Sequence, residues 1–108
     1  MFKSHFHTYV AGIKHHRKAF YALNLEQREH SLELIEEPDN KHDPNAIKVV
    51  VDGKHIGYVP AKKCKKVKNI LHNKTITETR FTHDEDVIAE DEEGIEVDYI
   101  NRIHIWYK

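Results

Sequence analysis

Several groups of residues in this 108-residue chain have types and spacings that can do chemistry. Asn40-Lys41-His42-Asp43 sets a carboxamide, an imidazole and a carboxylate within four positions. Such donors and acceptors suit either a ligand's hydroxyl groups or the backbone amides of a turn. Lys62, Lys63, Lys65, Lys66 and Lys68 form a basic block. On a helix they read either as a solvated face or as a surface that tracks phosphates. His5 and His7 would point the same way along a strand, and His15-His16 is a second pair, but no third ligand completes a metal motif. The histidines therefore read as surface groups, and neither a metal nor a cofactor is expected. Asp84 to Glu93 is rich in acids but lacks the Asx-Gly spacing of a calcium loop, so it reads as a solvated hairpin tip. No activating arrangement surrounds Cys64, which reads as a buried thiol rather than a nucleophile. No Gly-x-x-x-x-Gly-Lys-Ser/Thr phosphate loop is present, so no unwinding or remodelling activity is expected of this chain.

Composition narrows the setting for these groups. At 39% hydrophobic, 108 residues are enough for one core but not two, so residues 1–108 are expected to form a single domain. A mean hydropathy of −0.73 and the absence of an apolar run near the ~18 residues of a membrane span leave no membrane segment. The N-terminus lacks the layout of a signal peptide, and one cysteine permits no internal disulfide. Together these point to the cytoplasm. Net charge is only −1, yet it is unevenly spread. Before Glu26 there is no acid, while Lys3, Lys14, Arg17, Lys18 and four histidines make the first segment cationic.

The elements that must position these groups follow from periodicity. His5 to Ile13 alternates as a strand, with Phe6, Thr8 and Val10 on one side and His7 and Tyr9 on the other. His30 to Glu36 reads as a second, half-buried strand, and Pro38 to Asn45 concentrates turn formers. Ala46–Val51 and Lys54–Val59 read as a hairpin about Asp52-Gly53. From Pro60, Ala61, Cys64, Val67, Ile70 and Leu71 recur at helical spacing, leaving the lysines on the opposite face. Lys74 to Thr82 and Ile95 to Tyr107 read as closing strands around an acidic loop. The result is a mainly β chain with one or two helices, a small barrel or an open α+β sheet.

The run Glu37-Pro38-Asp39-Asn40-Lys41-His42-Asp43-Pro44-Asn45-Ala46-Ile47-Lys48-Val49, then Asp52-Gly53 and Ile56-Gly57-Tyr58-Val59-Pro60, resembles the signature of the HIRAN family. The upstream Val10 to His16 resembles that family's first strand. The resemblance implies an OB-like β-barrel and a non-enzymatic module that binds single-stranded DNA or 3′ DNA ends. It also implies DNA-repair or helicase-type protein partners. Carried over by position, Lys14 and His15 supply a basic and an aromatic residue, Asn40, His42 and Asp43 the end-binding loop, and Tyr58 a neighbour to it. Lys62 follows Ala61 at the helix start, where a relative carries a basic residue, and Tyr99 is a further candidate in the last strand. Histidine stands at positions 15 and 42 where the family often has tyrosine, so stacking there would depend on pH. The competing reading is a protein-interaction or assembly domain whose motif only shapes the fold.

Overall fold

The computed structural model describes residues 3–108. Strand β1 (Ser4–Tyr9) is followed by a 3₁₀ turn (Ile13–His15) and helix α1 (Arg17–Tyr21). Then come β2 (Leu32–Glu36), β3 (Ile47–Val51), β4 (Lys54–Tyr58), a 3₁₀ turn (Ala61–Lys63), α2 (Cys64–Asn73), β5 (Ile76–Asp91) and β6 (Gly94–Tyr107). They form two three-stranded antiparallel sheets, ordered β1-β6-β5 and β2-β3-β4.

Alternation explains both sheets. In β1, Thr8 faces inward while His5, His7 and Tyr9 are exposed. In β3, Ile47, Val49 and Val51 are wholly buried. Asp52 and Gly53 both take positive φ, 50° and 77°, the conformation that a two-residue primed turn requires. Asp52 also fastens this turn to the start of β2: its Oδ1 accepts the Ser31 amide at 2.8 Å and its Oδ2 lies 2.7 Å from His30 Nδ1. Helix α2 lays Cys64, Val67 and Ile70 into the core shared with Ile103, Ile105 and Phe81 of the β1-β6-β5 sheet. Full burial of side chains this size is worth roughly 1.5–3 kcal/mol each before conformational entropy is counted.

Two sequence-based expectations change. The first strand ends at Tyr9, because Gly12 turns the chain at φ 77° and Lys14 to Lys18 become a 3₁₀ turn and a short helix. The expected acidic loop is mostly strand: Asp84, Glu85 and Asp86 pair with Ile100, Tyr99 and Asp98, so β5 and β6 extend as a long ribbon whose residues 84–99 are all exposed. Only Glu92 and Glu93 remain at its tip. The described residues also form no closed barrel. The sheets join at one corner, where Ala11 and Tyr58 exchange backbone hydrogen bonds of 2.8 and 2.9 Å. On the opposite side no ladder links β2 to β5; residues of segment 25–30 lie beside Phe81 to Asp84, and the His30 ring meets Phe81 edge-on at 5.5 Å. Gly57 makes the joined corner possible, since a Cβ there would fall 2.5 Å from the Ala11 carbonyl oxygen and 2.7 Å from Val10 Cγ1.

Candidate nucleic-acid interface

The loop between β2 and β3 is built by its own polar side chains. Asn40 Oδ1 accepts the amides of His42 and Asp43 at 2.9 and 3.0 Å, and Asp43 Oδ1 accepts that of Asn45 at 2.8 Å. These Asx turns curl the chain so that Asn40, His42 and Asp43 face one side. Tyr58 arrives at the end of β4, held by the Ala11 bridge. Together with Ala11, Ala46, Val59 and Ala61 they line an open groove of about 320 Å³. Its rim is polar and its floor apolar, a pattern that suits a ligand with one flat apolar face and one hydroxyl edge.

Glu37 sits behind the groove as its anchor. Its Oε1 accepts hydrogen bonds from Asn40 Nδ2 at 2.6 Å and Tyr58 Oη at 3.0 Å, and Oε2 lies 3.1 Å from Lys48 Nζ. The Asn40 hydrogen bond, then Lys48, holds its carboxyl below the usual range, so it remains an acceptor at neutral pH. Burial first, then Glu37, pushes the Tyr58 phenol up, so Tyr58 stays protonated and donating. Lys68 reaches from α2 to Asn45 Oδ1 at 2.8 Å and pins the far end of the loop. Asp43 differs from these anchors. One of its carboxylate oxygens is used in the turn, and among the described residues the other makes no hydrogen bond.

Of the residues expected at a site, the fold brings four together, Asn40, His42, Asp43 and Tyr58. Lys62 is exposed one position past groove-lining Ala61. His15 is exposed too, but it lines a separate depression of about 520 Å³ with His16, Arg17, Lys18 and Lys54. Lys14 is exposed in the preceding turn. Tyr99 is elsewhere, on the projecting ribbon, stacked on His83 at 4.5 Å with its hydroxyl 3.2 Å from Glu85 Oε1.

Sequence reasoning missed three residues that contact Tyr58 beside the groove. Glu37 was legible only as a motif position; its pairing with Lys48 across two strands was not. His16, which lines the same depression as His15, stands 5.9 Å edge-on from Tyr58, and His55 stands T-shaped to Tyr58 at 4.9 Å. Burial, then the neighbouring His16, lowers the His55 pKa and favours its neutral form. Among the described residues no group of three or more His, Cys, Asp or Glu is arranged to hold a metal. Cys64 is buried with its Sγ 3.6 Å from the Pro60 carbonyl oxygen, and burial raises its pKa, consistent with a core thiol.

Two joined antiparallel sheets, one packed helix and a groove of polar loop residues beside basic turns define a small, mainly β binding domain. The chain belongs to the HIRAN domain family, whose model matches residues 3–97 of the 108. Domains of this family are generally nucleic-acid-binding modules. No curated protein and no solved structure matches the chain. Tyr99 falls outside the matched residues, whereas the groove lies wholly within them. No helix among the described residues is long and apolar enough to cross a membrane.

Proposed function

We propose that this domain is a non-enzymatic reader of single-stranded DNA whose groove receives the 3′-terminal nucleotide. The observation that carries the reading is the free carboxylate oxygen of Asp43 on a groove that also presents Tyr58 and His42. A carboxylate repels phosphate but accepts a hydrogen bond from a free 3′-hydroxyl, so at this position it favours an end over an internal linkage. The ring faces of Tyr58 and His42 supply stacking surface for the terminal base. Lys62 and Lys63 in the 3₁₀ turn before α2, with Arg17, Lys18 and Lys54 around the second depression, supply positive charge for the backbone on either side. Within this reading the two sheets act as an incompletely closed, OB-like scaffold.

Nitrogen-15 NMR of the full chain titrated with a short deoxythymidine oligonucleotide tests the placement. Amide shifts are expected at Asn40 to Asp43, Ala46, Tyr58 and Ala61. Shifts confined to the ribbon or to the lysines of α2 would refute it. A second reading, an assembly domain, is favoured by exposed Val87, Ile88, Ile95 and Val97 on the ribbon. Sedimentation of the DNA-free protein separates the two, since assembly through those side chains requires a stable oligomer that Val97→Lys dissociates.

A further inference from the structure

The outer face of the β1-β6-β5 sheet carries a chemistry of its own. Among the described residues no element covers it, and His5, His7, Tyr9 and Arg80 are exposed there. The register sets His5 beside Trp106, His7 beside His104 and Tyr9 beside Arg102. Their rings stand in a parallel row: His5 lies 4.5 Å from Trp106 at 13° and 5.2 Å from His104 at 4°, and His7 lies 5.7 Å from His104 at 25°. Arg80 sits 5.7 Å from the Trp106 centroid. Parallel aromatic rings with guanidinium groups beside them fit the bases and phosphates of an unpaired strand.

Arg80 and Arg102 share this side with Glu78 and Asp84 of β5, and Arg28 and Glu29 lie beside Glu78 and Arg80. His5 Nε2 lies 3.0 Å from His104 Nδ1, which ties the row of rings together across β1 and β6. Asp86 and Asp98 pair on the ribbon beyond the Tyr9 end of the sheet, so the aromatic and basic groups of this face lie apart from them, along His5 to Tyr9. Ala11, which lines the groove, is two residues past Tyr9, and His5 to Ala11 spans about 20 Å of extended chain.

We propose that the His5, His7, His104 and Trp106 face is a second contact surface for single-stranded nucleic acid, engaging the part of the strand that leads away from the groove. This rests on the nucleic-acid reading of the groove, and the experiment distinguishes the two. Trp106 is the only tryptophan, so its emission reports on this face alone. The full chain is titrated with unlabelled deoxythymidine 12-mer and 3-mer, as wild type and as the exposed double variant His5→Gln/His7→Gln. The 12-mer is expected to quench Trp106. The double variant should lose about tenfold in 12-mer affinity, with 3-mer binding unchanged. Binding of the 12-mer with silent Trp106 emission, or a double variant equal to wild type, overturns this surface and leaves the groove standing. Absence of binding by either oligonucleotide overturns both.

Discussion

At the scale of single residues, the groove separates side chains that build it from one that is free to act. Asn40 is spent on the loop, its oxygen holding two amides and its nitrogen bonded to Glu37. Asp43→Asn keeps the turn oxygen but removes the charge, so affinity for a 3′-hydroxyl strand should fall about tenfold and that for a 3′-phosphate strand should not, as anisotropy would register. A loss shared equally by both strands would make Asp43 merely structural. Glu37→Gln leaves Tyr58 and Lys48 with a poorer acceptor, so hydrogen exchange at the His42 and Asp43 amides should quicken while the helices stay protected. Unchanged exchange there would remove Glu37 as the anchor. Asn40, His42 and Asp43 were legible in the sequence because they sit in one continuous run, with Tyr58 in a second one. The Glu37 links to Tyr58 and Lys48 were not, since they depend on the register of β2, β3 and β4.

Among the elements, the junction of the two sheets is the most constrained. Gly57→Ala would drive a Cβ into the Ala11 carbonyl oxygen, a backbone atom that cannot turn aside. Its expected cost is about 1–3 kcal/mol by denaturant unfolding, with the groove disturbed because Tyr58 is the next residue. Wild-type stability in this variant would show that the corner relaxes freely. The β3–β4 hairpin and α2 were readable from a turn dipeptide and an apolar stripe, both local signals. Helix α1 was hidden because its five residues bury only Phe20. The ribbon was hidden because acids have low strand preference, yet Asp84 to Asp86 remain paired as the outward continuation of a strand already fixed by Phe81. The open side of the fold was equally hidden, since barrel closure is decided by how segment 25–30 packs, not by the alternation of any strand.

For the molecule as a whole, acid acts through groups whose pKa values the fold has moved. His55 and His104 are both lowered, chiefly by burial, so below the ordinary histidine value of 6.5 the unfolded chain takes up protons that the folded chain resists. Stability should therefore decline as pH falls through that region. Glu37 and Asp52 are lowered from 4.5 and 3.8, so their contributions are present above those values and are lost as pH falls toward their folded pKa values. Thermal unfolding from pH 8 to pH 3 should show both declines, and His55→Gln should shrink the first. A flat profile between pH 8 and pH 5 would contradict these assignments.

The central claim, a groove that reads the 3′ end of a single strand, is tested most directly by anisotropy with two oligonucleotides that differ only in a 3′-hydroxyl or a 3′-phosphate, each titrated across a salt series. Binding of both should weaken with salt as counterions are released, with the 3′-hydroxyl strand tighter by about tenfold at every concentration. Equal affinity for the two strands across the series would contradict it.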